Sequence, residues 1–379
     1  MRILQINKFY YPWLGGVEKV VQDIAEGLNG QAGLTIDVLA CQVRGARQQE
    51  RINDITVYRA ASSGKLLGMP LSWDFFRLLA KLRTNYDAVL IHHPFPLAFL
   101  AWPLLKGKPL FIWYHSDIVR QRWSKWLFLP FLKIGLRQAT AIFVGSHNLP
   151  ASSPLLKKYA DKCRVIHFGV DLDRFTADAE TKEAARKIRQ TYGRPLLLSV
   201  GRLVPYKGFD YLIKALKADQ TPDKSGQMPG AAAKLIIIGA GPEAGRLANL
   251  IKRLDLGNRV KIIEPVPDLR PFYAACDLFI LPSVTNNEAF GLVQLEAMAY
   301  GKPIINTALP TGVSEVSPHN ISGLSVPPRD PLALSQAINQ ILGDDRLRAE
   351  FGANARQRVA ENFNQISFRQ KLLRILLGS

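Results

Sequence analysis

The chain has 379 residues, enough for two domains with full cores, and at 47% hydrophobic and 21% charged it has the composition of an ordinary globular protein. Three widely spaced cysteines, Cys41, Cys163 and Cys276, exclude a disulfide framework or a cysteine-built metal site, and a reducing cytoplasm is the expectation. The outlier is a net charge of +18. Residues 1–167 hold 22 Lys and Arg against 10 Asp and Glu, and residues 168–379 hold 27 against 21, so a polyanionic partner is expected on the first half.

Met1-Arg2 leads directly into a strand with no signal-peptide design. The longest apolar stretches, such as 97–105 and 126–132, are too short to span a bilayer. Residues 2–7 read as a buried parallel strand, followed by a loop to Gly15-Gly16 and a helix with Val17, Val20, Val21, Ile24 and Leu28 on one face. A Gly-Gly pair opening a helix lets a ligand phosphate approach the backbone, though a plain βα turn has the same pattern. Strands at 35–40, 87–92, 110–114 and 140–144 alternate with helices. That alternation means a parallel sheet with its ligand site beyond the strand C-termini. His115-Ser116-Asp117 stands at one such end, where an isolated histidine is more often structural than functional. His92-His93 ends another strand; neighbours on a strand face opposite ways, so they cannot readily share one metal ion. One is expected to pack and the other to line the cleft.

Residues 118–139 alternate Arg120, Arg122, Lys125, Lys133 and Arg137 with Trp123, Trp126, Phe128 and Phe131. Such a segment fits an interfacial helix on anionic lipid and equally a core helix with a solvated basic face; the charge of the first half tips the reading to membrane.

A charged helix at 180–192 precedes a strand at 195–200, a loop from Gly201 to Gly208 and a helix at 209–218. Arg202 and Lys207 on that strand-to-helix loop are well placed to neutralise a diphosphate. Residues 219–233 read as a polar loop. The strand at 234–238 ends in Gly239-Ala240-Gly241-Pro242, which lacks the spacing of the dinucleotide fingerprint and argues against an oxidoreductase or epimerase. After a strand at 260–263 comes an apolar strand at 278–281, a polar loop, Glu288, and a helix from Phe290 that ends at Gly301 and Pro303. Gly291 and Leu292 lie where that helix begins, a place whose backbone N–H groups and dipole suit a phosphate. Glu296, flanked by Leu295, Ala297 and Met298, needs a partner for its charge. Further on come a strand at 303–307 and a last helix at 365–377.

The pattern Glu-x-Phe-Gly-x-x-x-x-Glu at 288–296, followed by Ala-Met-Ala-x-Gly-x-Pro at 297–303, resembles the signature of retaining glycosyltransferases of the GT-B fold, family 4. The likeness runs from the first strand to the last helix. It implies an α/β protein of two facing Rossmann-like, doubly wound domains with a cleft between them. Residues 1–167, joined by a C-terminal helix from about 360 to 379, would form the acceptor domain, and residues 168–359 the nucleotide-sugar donor domain. Carried over, Glu288 contacts the donor sugar, Glu296 holds the ribose, and the backbone at Phe290, Gly291, Leu292 and Val293 meets the diphosphate. Arg202 and Lys207 stabilise the leaving nucleotide. Gly15 and Gly16 face the donor phosphates, Val266 lies where the base packs, and His115 lies near the anomeric carbon, with Asp117 as an acceptor contact.

Residues 167–171, His-Phe-Gly-Val-Asp, resemble the family's inter-domain turn. Asp171-Leu172-Asp173 imitates the metal motif of another glycosyltransferase fold but falls in this linker, so neither metal nor other cofactor is expected. The stretches Tyr-His-Ser-Asp-Ile-Val, Asn-Glu-Ala-Phe-Gly and Gly-Leu-Ser-Val-Pro-Pro resemble bacterial mannosyltransferases of O-antigen and exopolysaccharide assembly. The resemblance implies hexose transfer, with GDP-mannose as donor, to a hydroxyl of a glycan or lipid-linked glycan, by a protein peripheral on the inner face of the plasma membrane. A UDP-sugar such as UDP-glucose is the alternative donor. A non-catalytic polyanion-binding module would account for the charge but not for the grouping of Arg202, Lys207, Glu288 and Glu296, and no nucleic-acid partner is expected.

Overall fold

The structure, a computed structural model, describes residues 1–13, 15–66, 68–117, 122–218 and 232–378, with the side chains of residues 122–127 outside the description. The chain divides into two compact units, Met1–Phe168 with Ser367–Ser379, and Gly169–Ile366. Phe168 belongs to the first unit because its ring packs against Trp113, His115 and Phe368. Residues 360–366, which the sequence assigned to the first unit, cluster with the second: Val170 N–H donates to Phe363 O and Gln365 N–H to Val170 O.

The first unit holds β1 (Arg2–Ile6), β2 (Thr35–Cys41), β3 (Gln48–Ile52), β4 (Ile55–Ala60), a small hairpin of β5 (Lys65–Leu66) and β6 (Met69–Pro70), β7 (Ala88–His93), β8 (Leu110–Tyr114), β9 (Ala141–Val144) and β10 (Cys163–Val165). Its main sheet has the order β10-β9-β8-β7-β1-β2-β4-β3, parallel throughout except for β3, which runs antiparallel to β4. Strands covered on both faces read as unbroken apolar runs, as β8 does with Leu-Phe-Ile-Trp-Tyr all buried. The edge strand β3, Gln-Gln-Glu-Arg-Ile, has no buried residue and no apolar run, so periodicity does not reveal it. Its charges also protect an exposed edge from pairing.

The second unit holds β11 (Leu196–Val200), β12 (Lys234–Ile238), β13 (Val260–Ile263), β14 (Leu278–Leu281), β15 (Ile304–Thr307) and β16 (Gly323–Val326), the last of which sequence reading missed. They form one parallel sheet of order β13-β12-β11-β14-β15-β16. An apolar core of Leu197, Leu235, Ile237, Leu278, Ile280 and Ile305 with the Phe209–Ala218 and Pro331–Leu342 helices closes one side.

The basic stretch of the first unit forms the Arg122–Gln138 helix, with Pro130 inside it. Arg120 and the side chains of Arg122, Trp123, Lys125 and Trp126 lie outside the described residues, as does most of the loop at 219–233. The described end of the helix exposes Phe131 and Ile134 beside exposed Lys133 and Arg137, while Leu132 and Leu136 turn into the core. Among the described residues no helix is long and apolar enough to cross a membrane.

Candidate active site

In a doubly wound sheet the chain leaves adjacent strands in opposite directions at one point, opening a crevice at their C-terminal ends. In the second unit that point lies between β11 and β14. The loops that leave these strands carry Arg202 with Lys207, and Glu288 with Gly291. A glycine draws the two loops together. Gly208 has φ +68°, and a Cβ there would stand 2.1 Å from Pro282 O, so no other residue fits. Val284 N–H then donates to Tyr206 O at 2.8 Å.

This closure buries Lys207 against Glu288, with Nζ 2.5 Å from Oε2 and side-chain exposures of 10% and 11%. Ser283 Oγ donates to the same carboxylate oxygen at 2.8 Å. Burial alone pulls the Lys207 ammonium toward neutrality, but the Glu288 charge and hydrogen bond outweigh it and hold Lys207 above its ordinary value. The two residues, assigned separately to phosphate and sugar by the sequence, are therefore one charged unit in the protein alone. Arg202 is exposed and forms no ion pair among the described residues, so its charge is available to a ligand.

Gly291, in the left-handed region at φ 76°, turns the chain into the Leu292–Ala299 helix. Buried Gln294 secures this turn, donating to Phe290 O and Val313 O and accepting from Asn306 Nδ2. Phe290 is buried against Phe363, and Leu292 and Val293 are half-buried at the helix start. Glu296 has the partner its setting demands: Tyr273 Oη donates to Oε2 at 2.6 Å. Burial and then the Glu296 charge push the Tyr273 phenol well up. Val266 is half-buried in the loop after β13. Asp171 Oδ1 accepts from the backbone N–H of Asp173 and Arg174, capping its own turn.

In the first unit the switch point lies between β1 and β7. Gly15 caps the Gly16–Leu28 helix, and a Cβ on it would stand 2.2 Å from Glu18 Oε2. Glu18 is itself buried, and its Oε1 has no hydrogen-bond partner among the described residues. Sequence reading passed over this acid, although an acid between Val17 and Val20 on the buried stripe was the available signal. His115, just after β8, is buried, and its Nε2 lies 2.9 Å from His92 Nδ1. His92 Nε2 in turn lies 2.7 Å from Gln5 Nε2. Neither Gln5 nor His92 was singled out as a partner, yet a Gln inside an apolar strand was the visible anomaly. Burial, then the neighbouring His92, His93 and Lys8, hold His115 well below the ordinary histidine value, and burial lowers His92 to about 3.

Of His92 and His93, His92 packs, as one of the pair was expected to, and His93 stands in the wall of the cavity beside Asp117. Both are buried, with His93 stacked on Tyr114 on the face opposite to His92. Asp117 Oδ1 accepts from Tyr114 Oη at 2.5 Å and Ser153 Oγ at 2.8 Å. Beside it is a cavity of about 240 Å³ with Phe99, Phe128, Leu129 and Leu132 in its walls and exposed Lys133 and Lys158 on its outer side.

Comparisons with known proteins agree with this architecture. Residues 14–174 match the model for Glycosyltransferase Family 4, and residues 180–358 the model for glycosyl transferases group 1. The chain is 31% identical to a D-rhamnosyltransferase of Pseudomonas aeruginosa, over 96% of this chain and 92% of that protein. It is 28% identical to the O-antigen chain mannosyltransferase C of Escherichia coli, over 96% of this chain and 94% of that protein. Among solved structures, Anabaena HepE in complex with UDP superposes over the whole of both chains with a TM-score of 0.80 at 23% identity, which speaks to the fold. With two Rossmann-like units, the signature acids at one switch point and relatives of this similarity over nearly full length, the chain belongs to the GT-B glycosyltransferases of family 4.

Proposed function

We propose that this glycosyltransferase moves a hexose, mannose from GDP-mannose, to a hydroxyl of a lipid-linked glycan in cell-surface polysaccharide synthesis, with retention of anomeric configuration. The observation that carries the catalytic reading is the grouping of buried Lys207–Glu288 and exposed Arg202 at the β11/β14 switch point. Arg202, Lys207 and the start of the Leu292–Ala299 helix offer positive charge to a diphosphate, Glu288 accepts from sugar hydroxyls, and Glu296 from the ribose. As the bond from the anomeric carbon to phosphate breaks, the cations stabilise the charge that develops on the leaving nucleoside diphosphate. The acceptor oxygen bonds to the same face of the sugar, and its proton goes to the departing phosphate.

Mannose is favoured by the motifs shared with O-antigen mannosyltransferases and by the mannosyltransferase relative. UDP-glucose remains the second reading, favoured by the UDP bound in the structural neighbour. The lipid-linked acceptor is supported by the apolar cavity beside Asp117, with Lys133 and Lys158 available to an anionic headgroup. Peripheral attachment to the inner membrane face is supported by exposed Phe131 and Ile134 between cations.

A thermal-shift screen of GDP-mannose against UDP-sugars decides the donor, because a bound ligand raises apparent stability by about 2.7 kcal/mol at a hundred times its Kd. Release of nucleoside diphosphate only when acceptor is present establishes transfer; no release with any donor and acceptor defeats the proposal. Transfer is expected to survive EDTA, and loss of activity restored by magnesium or manganese would overturn the metal-free reading. Co-sedimentation with anionic but not neutral vesicles, weakening in salt, tests the membrane contact.

A further inference from the structure

We propose that Gln5 and His92 form a relay that locks His115 as its Nδ1–H tautomer, making His115 a fixed hydrogen-bond donor to substrate and His92 its positioning residue. The proposal rests on the reading that His115 belongs to the active site.

One chain of polar atoms links β1 to His115. Gln5 Nε2 lies 3.2 Å from Val21 O, a carbonyl that can only accept, so the amide presents its NH₂ on this side. Turning the amide over would set Gln5 Oε1 against that carbonyl oxygen. The second N–H of the same nitrogen then donates to His92 Nε2 at 2.7 Å. A neutral imidazole that accepts on one nitrogen carries its proton on the other. His92 Nδ1–H therefore donates to His115 Nε2 at 2.9 Å. His115, accepting on Nε2, must hold its proton on Nδ1. That nitrogen has no hydrogen-bond partner among the described residues and is not among the buried orphaned atoms, so it is left for a ligand or water.

Packing allows no easy escape. His92 runs parallel to Trp113, with an interplanar angle of 4° and centroids 6.1 Å apart, and His115 parallel to Phe168, at 6° and 6.0 Å. The environment also opposes a proton on either ring, since both are buried and held neutral. His115 thus offers N–H to an oxygen of the bound substrate and has no free lone pair with which to act as a base. The relay starts on β1 and passes through the end of β7 to the end of β8, so three strands set one proton.

The test is the long-range proton–nitrogen NMR spectrum of the full chain labelled with ¹⁵N-histidine, with His92 and His115 assigned by single substitution. Both rings should show a protonated Nδ1 and a bare Nε2. An Nε2–H signal at His115, or averaging over the two tautomers, overturns the proposal. Gln5→Met and His92→Phe should each release His115 into a tautomer mixture and lower kcat about 10- to 100-fold with a smaller change in KM. His92→Asn, whose amide N–H can replace Nδ1–H, should recover part of that loss. If His92→Phe does not fold, Gln5→Met carries the test. A single Nδ1–H tautomer that persists without the relay, or kcat unchanged in a variant whose tautomer has been released, removes the positioning role. His115→Ala separates the two readings: if it keeps full turnover, the placement of His115 in the active site fails, whatever the spectrum shows.

Discussion

The two units solve the same problem, polar groups buried at a sheet switch point, in opposite ways. In the second unit Lys207 and Glu288 stay charged and are buried together, each the other's counter-ion. In the first, Gln5, His92 and His115 are joined by hydrogen bonds and carry no charge, with His92 pushed down to about 3. Under the proposed function, the charged cluster suits a sugar diphosphate and the neutral one offers an oriented hydrogen-bond donor. The difference also means that the two clusters respond differently to mutation and pH. A buried ion pair fails when one member is removed, whereas a neutral relay fails when protons are added.

The largest expected effect comes from halving the ion pair. Lys207→Met leaves Glu288 buried without its counter-ion and should cost about 3–5 kcal/mol of stability by urea unfolding. Replacing both residues, Lys207→Met with Glu288→Leu, should recover most of that stability but none of the turnover. Equal unfolding midpoints for Lys207→Met and the parent would show that the pair is not a coupled unit.

Arg202 sharpens the contrast, since it carries charge at the same site without being buried. Arg202→Ala should lower turnover roughly a hundredfold while moving stability by no more than about 0.5 kcal/mol. A large loss of stability would show that Arg202 supports the fold rather than the ligand.

The pH dependence separates the clusters by sign. His92, with a folded value near 3 against 6.5 ordinarily, stays neutral while the unfolded chain takes up a proton. Its contribution is whole above pH 6.5 and is lost as pH falls from there toward 3, with a slope of up to about 1.4 kcal/mol per pH unit for each such group. His115, shifted the same way by burial, His92, His93 and Lys8, adds to that slope. Lys207 is shifted up, so its contribution is whole below its ordinary value of 10.5 and is lost as pH rises through the higher folded value. Urea midpoints measured from pH 7 to pH 4 should fall less steeply in His92→Phe than in the parent; identical slopes would sink the assignment.

Asp171→Ala is expected to do least. It removes a turn cap worth about 1 kcal/mol and should leave turnover unchanged with or without added metal. A large loss of turnover would reopen a metal role for Asp171-Leu172-Asp173.

Sequence alone determined much of this protein. The unbroken apolar runs of β8 and β14 are read to their exact residues because a strand covered on both faces must be apolar throughout, and β12 is read from the four apolar residues that follow Lys234. The acids at Glu288 and Glu296, the cations at Arg202 and Lys207 and the glycines between them were visible because their spacing matches a family pattern in which local backbone dictates residue type. The exposed edge β3 was invisible, since a strand that borrows its pairing from β4 needs no apolar signal of its own. Tertiary structure alone decided the pairings. Lys207 with Glu288, Glu296 with Tyr273, and His115 with His92 and Gln5 join residues that are 81, 23, 23 and 87 positions apart along successive links. The first of these links depends on how closely Gly208 lets two loops approach, and the last on which strands the sheet order makes neighbours. Periodicity reports which face of an element is buried; what that face meets is set by strand order, and strand order is a property of the whole chain.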